Sequence, residues 1–288
     1  MFRPDLHSHT LLSDGALSPA RLVERAAGRN VTHLAITDHD CMDALPEARR
    51  SAASLDLTII PGTEISTRWE NGKTVREIHI IGLLQDPEEP ALQALLRHHQ
   101  SLRRERVVEL ARQLEKQGIG GIEVLVDALT CPSPGRNHIA DFLIRGGHAS
   151  NKQDAFKRYL GRQGRLSTPA PWCDMATAIG RIQAAGGIAV LAHPDRYRLG
   201  KRQLRQLIDA FVEGGGSGLE VSYSNLNPDV LKHLARQAEE RGLWASVGSD
   251  FHTPETTWMD LGKLRQLPGH CEPQAVWHHP AWQRFNAA

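Results

Sequence analysis

The sequence predicts an α/β fold in which strands and helices alternate around one core. Short apolar runs alternate with longer amphipathic segments, which is the pattern of βα units that build a parallel sheet. The length of 288 residues is enough for one sizeable core, so a single barrel with an insertion fits as well as two separate domains. The composition, 40% hydrophobic and 23% charged, is ordinary and excludes a disordered chain or a coiled coil.

The runs of alternating character predict seven strands and five helices outside the middle of the chain. The strands are expected near residues 5–9, 34–37, 58–61, 78–84, 188–192, 219–222 and 244–248. The helices are expected at residues 19–29, 43–54, 176–185, 202–213 and 228–241. The pair Ser18-Pro19 is typical of a helix start, because serine caps the first turn and proline fits the first helical position.

The alternation stops between Pro90 and Pro171, where the sequence becomes helical and strongly charged. Helical periodicity covers residues 91–117, 138–145 and 154–160. Proline-rich stretches at 86–90 and 168–171 flank this region, as is common at a boundary between substructures. We therefore expect residues 1–90 and 171–288 to form the main body and residues 91–170 to form an inserted helical cap.

Cysteine usage and charge limit the classes of protein that the chain can belong to. The four cysteines are widely spaced and form no C-x-x-C pair, so neither a zinc ribbon nor a redox motif is predicted. No apolar signal stretch or spanning run is present, which predicts a cytoplasmic protein that does not bind membranes. The net charge of +1 argues against binding of long duplex DNA, although a local basic pocket suffices for a small phosphate-rich ligand.

Histidines and carboxylates follow nearly every predicted strand. His7 and His9 share one face of the first strand, because side chains at i and i+2 point the same way, so both imidazoles can reach one metal ion. Most of the other candidate residues, taken singly, are explained as well by an ordinary role in a turn, a loop or the core. These others are Asp14, Asp38, His39, Asp40, Glu64, His79, His193, Asp250 and His252.

The positions of these residues taken together predict a centre that holds several metal ions. The strand ends of such a fold converge, and chance surface histidines would not select those positions. Imidazole and carboxylate ligands suit Mn, Fe or Zn, and the set is too rich for a single structural zinc.

The order of the motifs resembles the PHP family, the polymerase and histidinol phosphatase superfamily. The matching motifs are H-x-H at 7–9, S-D-G at 13–15, T-D-H at 37–39, G-x-E at 62–64, the strand residue His79, A-H-P at 192–194 and G-S-D-F-H at 248–252. The resemblance covers the chain outside the insert. It implies a distorted (β/α)7 barrel with an inserted cap. The barrel is expected to hold two or three divalent metal ions, with Mn expected and Fe or Zn as alternatives. The expected reaction is hydrolysis of phosphate esters.

Carried over by motif, the resemblance implies three ligand sets. They are His7, His9, Asp250 and a bridging Glu64 for one ion; Glu64, His79 and His193 for the second; and Asp14, His39 and His252 for the third. Some members of the family have histidine where Asp14 stands, and the carboxylate of this chain is expected to weaken or change the third site. Asp38 and Asp40 are expected to orient ligands. The candidate catalytic residues are His193, Asp250 and Asp38.

The insert resembles, within that family, a subgroup of nucleoside 3',5'-bisphosphate phosphatases that also includes 5'-to-3' exoribonucleases acting on short RNA. The matching residues are Arg103, Arg106, Gly135 and Arg136. Guanidinium groups bind phosphate oxygens bidentately, and a Gly-Arg turn before a helix start is an anion-binding arrangement. Arg196 and Asn225 follow two strand ends and are further candidates for substrate binding.

The resemblance implies hydrolysis of the 3'-phosphate of nucleoside 3',5'-bisphosphates such as 3'-phosphoadenosine 5'-phosphate, with short 5'-phosphorylated RNA as a further candidate substrate. Three alternatives remain at this point. The first is a histidinol phosphate phosphatase, which needs no second phosphate pocket. The second is a non-enzymatic accessory barrel that metals stabilise. The third is a cyclic-amide hydrolase of the related amidohydrolase superfamily. The oligomeric state is left open.

Overall fold

Seven strands form one sheet that curls into a nearly closed barrel. The computed structural model describes residues 2–121, 130–161, 164–166 and 168–287. The strands lie side by side in chain order and are β1 Pro4–Asp5, β2 His33–Ile36, β3 Thr58–Asn71, β4 Thr74–Leu83, β5 Ile188–Leu191, β6 Gly218–Tyr223 and β7 Trp244–Gly248. The last strand returns to the first, since Leu6 N–H donates to Val247 O at 3.0 Å. The predicted barrel is thereby confirmed.

The direction of β4 departs from the prediction. Strands β1 to β3 pair in parallel, as do β5 to β7, but β4 runs antiparallel to both β3 and β5. The prediction of a parallel sheet throughout is therefore wrong for β4. Only Gly72 and Lys73 join the paired residues Asn71 and Thr74, and a connection this short permits only a hairpin. Gly72 takes the positive φ of 58° that the turn requires.

Helices surround the barrel and continue into the insert. In the described residues they are α1 Pro19–Gly28, α2 Leu45–Ala52, α3 Pro90–Glu115, α4 Arg136–Arg145, α5 Lys152–Ala155, α6 Met175–Ala184, α7 Lys201–Glu213, α8 Pro228–Glu240 and α9 Pro280–Ala287. The five predicted helices are present as α1, α2, α6, α7 and α8. Helix α1 begins as predicted, because Ser18 Oγ accepts a hydrogen bond from Arg21 N–H at 3.3 Å.

The apolar core is divided between the barrel and the insert. Leu6, Ile60, Ile81 and Val190, from or beside four strands, share a buried cluster with Trp282 of α9, which fills the barrel interior. A further cluster lies within the insert and comprises Val107, Leu110, Leu114, Ile139, Leu143 and Tyr159 among others. The first turns of α3 instead pack with the barrel through Leu92 and Leu96. The boundaries of the cap at residues 91 and 170 stay a prediction.

The helices were also compared with the length and apolar character that a membrane span requires. Across the ranges given above, each helix is too short or too polar to cross a lipid bilayer.

Candidate metal centre

The predicted ligands meet at one end of the barrel. His7 and His9 follow β1, His39 follows β2, His193 follows β5, and Asp250 and His252 follow β7. These positions are the carboxyl ends of parallel strands, where loops carry the chemistry of such barrels.

Glu64 and His79 reach the same end from inside the β3–β4 hairpin. Glu64 pairs with Ile81, and His79 lies two residues from Ile81, so the side chains of Glu64 and His79 share the inner face as diagonal neighbours. The antiparallel direction of β4 thus does not remove His79 from the site. It explains why His79 lies within its strand and the other histidines lie after theirs.

Four side chains surround one point with the spacing of a tetrahedral metal site. His7 Nε2 lies 3.1 Å from His9 Nε2, and Asp250 Oδ1 lies 3.3 Å and 3.2 Å from these two nitrogens. Glu64 Oε2 lies 3.5 Å and 3.3 Å from the same nitrogens. A metal with ligand bonds of about 2.0–2.1 Å in tetrahedral geometry separates its ligands by about 3.4 Å. The observed spacing therefore fits one ion.

The Glu64 carboxylate lies between this group and a second one. Its Oε1 lies 2.9 Å from His79 Nδ1 and 2.9 Å from His193 Nε2, while its Oε2 lies 2.9 Å from His39 Nδ1. One carboxylate in contact with five imidazoles is the arrangement expected of a group that bridges two cations.

The third group, around Asp14, is wider. Asp14 Oδ1 lies 3.3 Å from His252 Nε2, and Asp14 Oδ2 lies 3.7 Å from His39 Nε2. His9 Nδ1 lies 3.8 Å from Asp14 Oδ1. The candidate ligand atoms of these four residues lie within 4.8 Å of one another, so they can also hold an ion.

Buried polar atoms without hydrogen-bond partners test whether a metal fits. Asp14 Oδ1, His39 Nδ1, Glu64 Oε2 and His193 Nδ1 are all buried and lack a hydrogen bond. His39 Nδ1 and Glu64 Oε2 are 2.9 Å apart but are not aligned as donor and acceptor. A buried polar atom left without a partner destabilises a protein by about 1–3 kcal/mol. Asp14 Oδ1, His39 Nδ1 and Glu64 Oε2 belong to the ligand groups, and cations would complete their bonding. His193 faces Glu64 with Nε2, so a cation there does not explain its Nδ1.

The carboxylates of the centre are held in the anionic form. Burial raises the pKa of the Glu64 carboxyl, but the surrounding histidines outweigh it and keep that pKa well below its ordinary value. Asp250 behaves in the same way, with burial opposed by Arg196 and His7, and so does Asp14, with burial opposed by His252 and His39. Anionic oxygens are the form that binds a metal.

The histidines fall into two groups. Burial lowers the pKa of His39 to about 4 and also lowers that of His193, so both are neutral near pH 7. Burial acts in the same direction on His79, but Glu64 and Glu77 outweigh it and raise the pKa to about 10. For His252, Asp14 and Asp250 outweigh burial and raise the pKa to about 9. An ion that binds His79 and His252 must therefore displace protons.

Glu220 supports the centre and was missed by the sequence analysis. Its Oε1 lies 2.9 Å from His7 Nδ1, and its Oε2 accepts a hydrogen bond from His193 N–H at 2.6 Å. A carboxylate on the far nitrogen of a ligand histidine fixes the ring and raises its basicity. Glu220 lies inside β6 and not after it, so the strand-end criterion passed over it. A single carboxylate in the run Gly-Leu-Glu-Val was the available signal.

Asp38 and Asp40 contact loop and helix residues around the centre. The Asp38 carboxylate accepts hydrogen bonds from Thr10 N–H at 2.7 Å and from Ser13 Oγ at 2.5 Å, so it fixes the loop that follows β1. Asp40 accepts from Arg103 Nε at 2.7 Å and lies 2.9 Å from His99 Nδ1. Asp38 does not line the cavity described next, unlike His193 and Asp250.

A cavity of about 450 Å³ opens between the candidate ligands and the insert. One side carries seven of the candidate ligands, Asp14, His39, Glu64, His79, His193, Asp250 and His252. Five of the residues predicted to bind substrate also line the cavity: Arg103, Arg106, Gly135 and Arg136 face it from the insert, whereas Arg196 lies after β5 in contact with Asp250, beside the candidate ligands. Asn225, the sixth, lies in the turn after β6 and is not part of these walls, so its role stays a prediction.

The arginines of the cavity are paired with carboxylates. Arg106 Nη1 lies 3.1 Å from Glu77 Oε2, and Arg136 Nη2 lies 3.4 Å from Glu77 Oε1. Arg103 is bound to Asp40, and Arg196 is in contact with Asp250. Burial raises the pKa of Glu77, but Arg136 and Arg106 outweigh it and hold that pKa well below its usual range. The sequence analysis missed Glu77, because nothing in its position marks it as part of the cavity.

The barrel, its histidine and carboxylate cluster and the cavity above it define a metal-dependent hydrolase. The chain belongs to the PHP domain family, whose model matches residues 5–223. The family predicted from the motifs is thereby confirmed. Divalent metal ions are the cofactors that this family and these ligand groups support.

Similar proteins extend over nearly the whole chain. A protein of Haemophilus influenzae named 5'-3' exoribonuclease is 42% identical over 98% of this chain and 98% of its own length. A protein of Chromobacterium violaceum named 3',5'-nucleoside bisphosphate phosphatase is 38% identical over 95% of this chain and 94% of its own. A solved structure of an amidohydrolase from Chromobacterium violaceum, with bound sulfate and no metal, matches with a TM-score of 0.86 and 36% identity, covering 99% of this chain and 96% of that one.

Proposed function

We propose that this protein hydrolyses the 3'-phosphate of nucleoside 3',5'-bisphosphates and releases phosphate and a 5'-nucleotide. The observation that carries the proposal is a cavity lined both by candidate metal ligands of the barrel and by arginines of the insert. A ligand with two phosphates can use both walls at once. The volume of about 450 Å³ lies in the usual range for small-molecule sites.

The three ligand groups are proposed to hold two or three divalent ions. His7, His9, Asp250 and Glu64 would bind one, Glu64, His79 and His193 the second, and Asp14, His39 and His252 the third. We expect Mn, with Fe or Zn as alternatives. Ions bound here supply Lewis-acid chemistry, which activates water and neutralises phosphoryl oxygens. His193 and Asp250 line the cavity and are the proposed catalytic residues, whereas Asp38 is proposed to hold the loop after β1 in place.

The arginines are proposed to bind the second phosphate of the substrate. Arg106 and Arg136 converge on Glu77 in the protein without ligand, so a phosphate entering the cavity meets two guanidinium groups already aimed at one anion. Arg103 lines the same part of the cavity, and Arg196, beside Asp250, is proposed to contact the substrate near the candidate metal ligands. Gly135 lies beside Arg103, since a β-carbon built there would be 3.4 Å from Arg103 Nη1. Binding energy from the 5'-phosphate would position the 3'-ester.

Short 5'-phosphorylated RNA is proposed as a second substrate. The protein would remove mononucleotides from the 5' end of such an RNA one after another. The supporting observation is the relative named 5'-3' exoribonuclease, which matches almost the full length of the chain. We also propose a cytoplasmic location, because the four cysteines are free thiols and a reducing compartment suits such a protein.

Phosphate release from 3'-phosphoadenosine 5'-phosphate by manganese-loaded protein tests the proposal. Adenosine 3'-phosphate and histidinol phosphate, which lack the second phosphate, serve as controls. We expect rapid turnover of the bisphosphate and weak turnover of both controls. The variant Arg136→Gln should lower kcat/KM for the bisphosphate by about tenfold or more, since a hydrogen bond to a charged group contributes about 1.5–3 kcal/mol. It should leave the adenosine 3'-phosphate rate nearly unchanged.

Other outcomes identify other functions. If the protein prefers histidinol phosphate, and if Arg136→Gln does not change that rate, the bisphosphate proposal is wrong. The protein would then be a phosphatase of small phosphomonoesters such as histidinol phosphate. Inactivity on every phosphate ester would reject the proposed substrate class and leave the metal centre for a different reaction, such as cyclic-amide hydrolysis.

A further inference from the structure

The insert contacts the loop that carries Asp14 at two points. Ser133 N–H donates a hydrogen bond to Leu12 O at 3.1 Å. Asn137 Nδ2 donates a second one to Asp14 Oδ2 at 2.6 Å, across 123 residues of sequence. Ser133 precedes α4, and Asn137 is the second residue of that helix. The insert therefore reaches the third ligand group directly, in addition to supplying arginines to the cavity.

The two oxygens of Asp14 have different surroundings. Oδ2 accepts the hydrogen bond from Asn137, whereas Oδ1 is buried and has no hydrogen-bond partner. Oδ1 lies 3.3 Å from His252 Nε2 and 3.8 Å from His9 Nδ1, which belong to the same candidate ligand group. An ionised carboxylate only accepts hydrogen bonds, so the amide nitrogen of Asn137 is the atom that must face it. A donor fixed on one oxygen orients the carboxylate and leaves the other oxygen for a cation.

The position of Asn137 is set by the first turn of α4. Gly135 N–H donates to His138 Nδ1 at 3.0 Å, and His138 N–H donates to Gly135 O at 3.1 Å, which closes that turn. The Nη2 atom of Arg136, the preceding residue, lies 3.4 Å from Glu77 Oε1. Arg136 and Asn137 both line the cavity. One helical turn thus carries a proposed contact to the second phosphate and the contact to the third ligand group.

We propose that Asn137 is a positioning residue of the third ion site, where its amide holds Asp14 so that Oδ1 faces the other candidate ligands. The inference rests on the proposed function, because that function includes the third ion. It adds a residue of the insert to a centre whose candidate ligands all belong to the barrel. Without the amide, the Asp14 carboxylate can turn away from His252, so the third ion is the one that should be affected. Loss of such a contact lowers metal affinity by about 10–100-fold.

Asn137→Leu tests the assignment, because leucine keeps most of the volume of the side chain and lacks the donor. Equilibrium dialysis measures the number of Mn ions bound at each free Mn concentration. Asp14→Asn identifies the third ion, since it weakens the ligand itself. We expect Asn137→Leu to weaken that same ion by about tenfold or more and to leave the affinity of the other ions unchanged.

Two further variants complete the experiment. Asn137→Ala removes the donor without adding an apolar group to the cavity, and it should weaken the same ion. Arg145→Gln, at an exposed position in the last turn of α4, is the matched control and should leave every ion unchanged. Retained binding of the other ions by Asn137→Leu would show that the barrel of this variant is folded.

The dialysis uses no substrate, so it separates this inference from the proposed function. Selective loss of the third ion, in a protein that hydrolyses no bisphosphate, would keep Asn137 as a positioning residue and reject the phosphatase. Three results would overturn the inference even for an active phosphatase. They are unchanged ion affinity in both Asn137 variants, an equal loss of every ion, and the absence of any ion that responds to Asp14→Asn.

Discussion

The Glu64 carboxylate is the residue on which the candidate centre depends most. It contacts five imidazoles, and its two oxygens face different ligand groups. The surrounding histidines keep it anionic despite complete burial. Glu220, in contrast, contacts ligands without facing the same point, because it binds the far nitrogen of His7 and the backbone of His193. Glu64 is therefore a candidate metal ligand, whereas Glu220 holds candidate ligands in place.

Glu220→Gln should weaken metal binding without abolishing it. The amide keeps the shape of the side chain but loses the charge that makes His7 a better ligand, and changes of this type lower metal affinity by about 10–100-fold. Metal content after dialysis against graded chelator measures the affinity. Glu64→Gln is the comparison and should lose more affinity than Glu220→Gln, because it removes a ligand from two groups. Equal retention of metal by both variants would contradict the assignment.

The raised pKa values of His79 and His252 predict proton release when metal binds. Both imidazoles are protonated at pH 7 in the protein without metal, because their pKa values are about 10 and about 9. A metal must displace these protons, so affinity should rise as the pH increases from 7 through about 9–10. Calorimetric titration with Mn at pH 7 in buffers of different ionisation enthalpy measures the protons released. A heat that is independent of the buffer would show that these histidines do not bind the ion.

Much of the candidate site could be predicted from the sequence, because a ligand that follows a strand stands out as polar against an apolar run. His7, His39, His193 and Asp250 all have this position. Glu220 and Glu77 do not, and their roles depend on neighbours 213 and 59 residues away in the sequence, His7 and Arg136. Such long-range partners leave no local pattern.

At the scale of elements, the β3–β4 hairpin and helix α3 show where sequence patterns fail and succeed. The extension of β3 to Asn71 and the reversed direction of β4 follow from the Asn71-Gly72 turn, a hairpin signal. The sequence analysis expected this strand only near residues 58–61. Helix α3 was predicted from its periodicity, but its attachment to the barrel through Asp40 was not, since that contact spans 63 residues.

The attachment of α3 can be tested with Asp40→Asn. Arg103 and Asp40 are only 7% and 0% exposed, and loss of one partner from a buried ion pair destabilises a protein by about 3–5 kcal/mol. We expect a fall of this size in the free energy of unfolding in urea. Glu70→Gln is the matched control: its pair with Arg68 is about half exposed, so it should change stability by less than about 1 kcal/mol. Similar values for the two variants would argue against Asp40 as the anchor of α3.

At the scale of the molecule, the alternating pattern was sufficient to predict an α/β fold because each βα unit is local, whereas the barrel was implied by the family resemblance. The closure between β1 and β7 joins opposite ends of the chain and was supplied by the family resemblance. The candidate ligands extend from His7 to His252, so ions bound to all of the ligand groups together would connect nearly every strand of the barrel.

Metal should therefore stabilise the whole molecule. We expect Tm to rise when Mn is added to metal-free protein and to fall again with EDTA. A ligand at 100 times its Kd adds about 2.7 kcal/mol to the free energy of unfolding. Glu64→Gln should show a smaller rise at the same Mn concentration. A Tm that does not respond to Mn in the unaltered protein would contradict metal binding at this centre.

The short first strand has a consequence for the protein during its synthesis. His7 and His9 follow β1, which gains its second neighbour only when β7 pairs with it, and Asp250 follows β7. Folding of the N-terminal units can begin early, but no nascent chain has a full ligand set until residue 252 has left the ribosome. If the enzyme cleaves RNA, it is made beside a large amount of RNA in a form that cannot yet act on it.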